Sequence, residues 1–116
     1  MRFKFNLQRV LDIRATQERL KQNELALEQK KEQDIFRKIG HLRESQSEEY
    51  RRGLDYMAAP GLDIRIFLAH QRFMEALERM IDRSCQDLDR QRQAVEAVRQ
   101  ALIEASRKRK LLEKLK

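Results

Sequence analysis

Phe67, Met74, Ile81, Leu88, Val95 and Leu102 recur at seven-residue intervals through the second half of this chain. An α-helix turns once in about 3.6 residues, so a seven-residue repeat returns to nearly one face every two turns. Such a run predicts one long helix with a narrow apolar seam. A seam of that width is covered by another long helix, not by a sheet. The companion positions three residues on are His70, Leu77, Ser84, Gln91, Val98, Ala105 and Leu112. Four of these seven are apolar, so the seam can pair but is not uniformly hydrophobic.

The first half must supply the partner. Apolar residues run through it from Leu7 to Leu54, and Ile13, Leu20 and Leu27 lie seven apart. Ile35 and Leu42 resume the spacing after a one-residue slip, which predicts local unwinding around the polar stretch 28–34. Asn6 is placed to cap the start of this helix. Gly40 and Gly53 each cost about 1 kcal/mol against Ala in a helix interior; Gly53 is expected to fray near the turn. Met57-Ala58-Ala59-Pro60-Gly61 is the one clear break, since Pro60 lacks an N–H and disfavours helix at Ala59. Asp63 then stands as an N-cap. The expected organisation is a single all-α antiparallel two-helix coiled-coil hairpin over 1–116, with helix at about 6–57, a turn at about 58–62 and helix at about 63–115. Folding back at Pro60 places residues whose numbers total about 119 opposite each other: Leu7 with Leu112, Leu20 near Val98, Ile39 with Met80 and Ile81, Leu42 with Leu77.

Composition excludes several classes of function. Of 116 residues 39% are charged and 6% aromatic, with three Gly and one Pro, a content that suits exposed helices better than a globule. Disorder competes with this reading, but the regular seam and 41% hydrophobic residues oppose it. Cys85 is alone, so neither an internal disulfide nor a cysteine zinc cluster can form. No segment has the apolar length of a membrane span or a signal-peptide core, so a cytosolic location is expected. There is no phosphate-binding glycine loop, nucleophile elbow or paired-histidine motif. His41 and His70 are isolated, and no enzymatic activity, cofactor or metal is expected.

The net charge of +7 is spread along the chain except at its end, where residues 107–116 hold six basic groups and one acid. With Phe3 and Phe5, the cations Arg107, Lys108, Arg109, Lys110 and Lys114 would make one basic, partly apolar end. Near the turn Phe36, Tyr50, Tyr56, Phe67, Phe73, Leu77 and Met80 form a second cluster, and Ile66, Phe73 and Met80 are again seven apart. Such a strip either widens the core or receives a partner.

The opening residues from Met1 to Arg14, the segment Glu49-Tyr50-Arg51, the run His70 to Leu77 and the basic stretch Lys108 to Leu115 together resemble the flagellar FliJ family. The resemblance spans nearly the whole chain, although members of that family commonly run longer. It implies an antiparallel two-helix stalk of the flagellar type III export apparatus, similar to the central stalk of rotary ATPases. It further implies insertion of the paired termini (Phe3, Phe5, Arg107, Lys108, Arg109, Lys110 and Lys114 here) into the hexameric export ATPase, and contacts with the membrane export gate and export chaperones through Tyr50, Phe73 and Leu77. The implied location is cytoplasmic, peripheral to the inner membrane at the flagellar base. The stalk of a virulence type III secretion system and a homodimeric coiled coil are alternatives. A nucleic-acid-binding arm is another, but the basic stripe with interleaved aromatics that it needs is missing.

Overall fold

The computed structural model describes residues 2–116. Two helices account for nearly all of them: α1, Arg2–Ala58, and α2, Ile64–Lys114. They pair as an antiparallel coiled-coil hairpin, the expected fold class. Residues between Arg2 and Ala58 are mostly good helix formers, and neither Gly40 nor Gly53 interrupts the helix. Asn6 lies inside α1, which begins at Arg2, so it is not the cap.

The connection follows from three residues. The last turn of α1 closes with Ala59 N–H donating to the Asp55 carbonyl at 3.1 Å. Pro60 cannot continue that pattern. Gly61 takes a left-handed φ of 78°, which L side chains resist. Asp63 then caps α2, its Oδ1 accepting from the Arg65 N–H at 2.9 Å, while its carbonyl accepts from Phe67 N–H at 3.1 Å.

The seam of α2 runs through both sets of positions expected for it, Phe67 to Leu102 and His70 to Leu112, all of them buried or half-buried, and continues one heptad further to Arg109, which was expected on the basic surface. The seam of α1 differs from expectation. Ile13, Leu20 and Leu27 are 55%, 60% and 63% exposed. The covered residues are instead Leu7, Leu11, Arg14, Glu18, Lys21, Leu25, Glu28, Glu32, Ile35, Ile39, Leu42, Gln46, Glu49 and Gly53. These alternate by fours and threes without interruption, so the helix needs no slip and no unwinding at 28–34. Ile13, Leu20 and Leu27 also keep a heptad spacing, but on the outer side of α1. Several true seam positions carry charge, which conceals them from any search for apolar repeats.

The chain packs as two compact units. One comprises residues 1–32 and 90–116, called here the distal unit; the other, 33–89, is the turn unit. In the distal unit Leu7, Leu11 and Val95 are buried, and polar side chains bridge the helices. The Gln91 amide donates to Glu28 Oε2 at 2.6 Å and to the Glu28 carbonyl at 2.9 Å. Arg92 Nε meets Glu32 Oε1 at 3.3 Å. Arg109 pairs with Glu18 across the helices and with Glu113 Oε1 at 2.7 Å along its own. In the turn unit Ile39, Leu77, Ile81, Leu88 and Ser84 are buried. His70 Nδ1 lies 3.6 Å from Glu49 Oε2, in contact but too long for a hydrogen bond. Its ring meets Tyr56 edge-on, with centroids 6.2 Å apart. The pairs Glu28–Gln91 and Glu49–His70 both total 119 in residue number. Near Val98 the α1 seam residue is Lys21; Leu20 points away.

Gly53 is a corrected expectation. It is buried, and a methyl group built on it would collide with the His70 imidazole. The residue admits that ring between the helices, so it is a packing position and not a frayed one. Gly40 meets nothing within 4 Å.

Candidate partner-binding surfaces

A coiled coil has two flanks beside its seam. On each helix, residues just after the second seam position of a heptad lie on one flank; those just before the first lie on the other. Reversing one helix brings like positions onto a common flank. The surfaces of each unit sort by this rule.

In the distal unit, Phe3 and Phe5 are 67% and 65% exposed. Phe3 lines a shallow groove with Lys4, Leu7, Gln8, Leu115 and Lys116, so the two chain ends do meet there. A second groove, on the flank of Gln22, is bordered by Ile103, Arg107, Lys110, Leu111 and Lys114. Ile103 and Leu111 were not singled out from the sequence. The readable signal was the spacing 103, 107, 110, 111 and 114, which puts apolar and basic residues on one side of a helix. Lys108 is exposed, and Arg107 lies 3.6 Å from Glu104 one turn back.

Arg109 stands apart from the other basic residues. It is a seam residue, with its side chain 24% exposed and Glu18 at 13%. The Arg109 hydrogen bond holds the Glu18 carboxyl below the usual carboxylate range, and the same bond raises the guanidinium further. This cation joins the two helices and is not part of the free basic surface.

In the turn unit the three residues assigned to a partner patch do not form one patch. Leu77 is 5% exposed and belongs to the core. Tyr50 is 62% exposed and borders a groove with Gln46, Ser47, Arg51, Leu54 and Met74. Phe73 is 48% exposed and forms a row with Ile66 at 49% and Met80 at 46%. Tyr50 follows the seam residue Glu49, whereas Phe73 precedes the seam residue Met74, so they occupy opposite flanks.

Among the described residues no group of three or more His, Cys, Asp or Glu is arranged to hold a metal ion. Nor is any helix among them long and apolar enough to cross a membrane. What the surfaces offer is side-on contact: basic and apolar grooves at one unit, apolar rows at the other.

A sequence model of the family described as Flagellar FliJ protein matches residues 3–116. The chain belongs to the FliJ family. No curated protein and no solved structure matches it. Membership makes the chain a component of the flagellar export apparatus and implies protein partners. It also agrees with the coiled-coil architecture. The polar seam matters here too, since it gives the distal unit cross-helix bonds of fixed geometry beside its apolar contacts.

Proposed function

We propose that the chain is a non-enzymatic stalk and adaptor of the flagellar type III export apparatus, working as one hairpin domain on the cytoplasmic side of the inner membrane at the flagellar base. The terminal end engages the hexameric export ATPase. Phe3 and Phe5 supply apolar contact, and Arg107, Lys108, Lys110 and Lys114 supply charge; Arg109 keeps the two helices together beneath them. The turn unit faces the export gate and export chaperones with two separate contact points, Tyr50 on one flank and Phe73 on the other. Leu77 serves that surface only by supporting it from the core. No cofactor and no nucleic acid takes part.

The observation that carries this reading is the family match over residues 3–116 on a chain with two uninterrupted helices. The exposed lysines beside exposed phenylalanines support the terminal contact. Reversing charge with Lys108→Glu and Lys110→Glu should weaken binding and stimulation of the purified ATPase while leaving helix content intact. An unchanged affinity at low salt, where surface charge acts most strongly, would remove the terminal site. Phe73→Ala should reduce motility and gate binding with a small change in melting temperature. A loss of several kcal/mol of stability would instead mark Phe73 as core.

A further inference from the structure

The turn end of the molecule carries an apolar surface that extends beyond the Tyr50 groove and the Phe73 row, which contribute Leu54 and Ile66 to its edges. Residues 54–69 hold only three charged side chains, Asp55, Asp63 and Arg65, in a chain that is 39% charged. Leu54, Met57, Leu62, Ile64 and Leu68 are exposed there by 49%, 54%, 47%, 69% and 48%. We propose that this turn end dips into the headgroup and upper acyl region of an anionic lipid surface.

Two observations favour lipid over a protein groove, and a third bounds the depth of the contact. The first is the distribution of the apolar groups. Ile64 and Leu68 are four residues apart and share one side of α2, while Ile66 lies across the helix from both. Leu54 and Met57 come from α1, and Leu62 from the connection. A groove covers one face of a helix; apolar groups on several sides suit a medium that surrounds the element. The second is charge. Residues 51–72 carry four arginines, Arg51, Arg52, Arg65 and Arg72, against two aspartates; Arg52 is paired with Glu49 one turn back at 2.5 Å, so the charge offered to lipid is that of Arg51, Arg65 and Arg72. Asp63 is already engaged as the cap of α2. Arginines behind an apolar tip meet anionic headgroups while the tip enters the acyl boundary. Tyr56, 41% exposed, has the amphipathic ring that settles at that level. The third is length. No described helix can span a bilayer, so the contact is shallow, on the order of 5–10 Å deep.

This inference concerns direct contact with lipid and stands whether or not the export ATPase or gate binds as proposed above. The chain has no tryptophan, so a single one reports cleanly. Leu62→Trp in the full chain should shift its emission to shorter wavelength on vesicles of phosphatidylcholine with about 30% phosphatidylglycerol, an anionic surface, and not on phosphatidylcholine alone. Leu27→Trp, on the exposed outer row of the distal unit, should not shift. Met57→Asp with Ile64→Asp should lower vesicle binding about tenfold or more, and Arg65→Glu with Arg72→Glu about tenfold, with helix content unchanged by circular dichroism. Lys108→Glu with Lys110→Glu should leave the Leu62→Trp shift in place. An emission that anionic vesicles do not move overturns the proposal. So does vesicle binding lost only on reversing Lys108 and Lys110, because the basic terminal end would then be the lipid contact. A shift seen only on adding purified gate protein assigns the turn end to a protein pocket and likewise overturns it.

Discussion

The two packing units solve the same problem, pairing long helices, with different chemistry. The turn unit buries Ile39, Leu77, Ile81 and Leu88; its covered polar groups include a hydroxyl at Ser84, the amide of Gln46, the half-buried carboxylate of Asp87 and the Glu49–His70 contact. The distal unit buries fewer apolar side chains and places Arg14, Glu18, Lys21, Glu28 and Glu32 at α1 seam positions. Apolar burial contributes most per residue, about 1.5–3 kcal/mol for a large side chain, and tolerates small shifts between helices. Charged seam residues contribute less net stability, since desolvation opposes their attraction. Their bonds do select particular pairs: Glu28 with Gln91, Glu32 with Arg92 and Glu18 with Arg109. The difference teaches that one unit supplies cohesion and the other supplies register.

The sharpest way to break this comparison is to charge the turn unit's core. Ile39→Asp should cost about 3–5 kcal/mol, because a carboxylate would replace a side chain that is 5% exposed. Leu20→Asp, at a position 60% exposed, should change stability by less than about 0.5 kcal/mol. Thermal melts followed by circular dichroism decide between them; equal losses would mean that Leu20 is covered after all.

The polar seam of the distal unit can be tested by removing its charges singly and together. Arg109→Leu leaves Glu18 with only the Ser106 side chain across the helices and no countercharge opposite it in the seam, and should lower the melting temperature by several degrees. Adding Glu18→Leu should recover that loss or exceed it, since an apolar pair of similar size can replace a covered ion pair. If the double variant melts no higher than the single one, the pair is not compensated and the comparison fails at this point.

A smaller effect, of reversible sign, is expected at Gly53. Elsewhere in a helix Gly→Ala gains about 1 kcal/mol. Here the added methyl meets the His70 ring, and Gly53→Ala should be destabilising by about 1 kcal/mol. In a His70→Ala background the same change should become stabilising. Stabilisation in both backgrounds would remove His70 as the reason for this glycine.

The smallest effect is a pH dependence confined to the distal unit. The Arg109 hydrogen bond lowers Glu18, and the Gln91 amide, followed by Lys31, lowers Glu28. A carboxyl with a depressed folded-state value stabilises the fold above its unfolded value of about 4.3 and loses that contribution as pH falls through the folded value. Acid below about pH 4 should therefore raise amide exchange at residues around Glu18 and Glu28 before those around Ile39 and Ile81. Simultaneous loss of protection in both units would contradict the assignment.

These contrasts also separate what was readable in the sequence from what was not. The α2 seam was legible from Phe67 to Leu102 because its first positions there are apolar without exception; its last member, Arg109, was not. The turn was legible because Pro60, Gly61 and Asp63 act through local backbone chemistry. The surface residues were only partly legible. Phe3, Phe5, Lys108 and Lys110 are exposed, but Arg109 and Leu77 differ from their neighbours solely in which way the helix turns them. Ile103 and Leu111 gained importance only from the groove they border.

By itself, the sequence determined that two long helices form, where the chain reverses and which face of α2 is covered, because periodicity, a proline and a cap act over a few residues. Only the tertiary structure decided which row of α1 is the seam. Leu20 and Lys21 are neighbours in a helix, and either row keeps a seven-residue spacing. The choice falls to the row on which Glu18, Glu28 and Glu32 find partners across the helices, in Arg109, Gln91 and Arg92, while Arg14 and Lys21 bond along α1 to Gln17 and Glu24. A covered charge that gains such a partner costs less than the apolar pattern of one helix suggests. The same cross-helix fit turned Gly53 from a weak point of α1 into the space that holds His70.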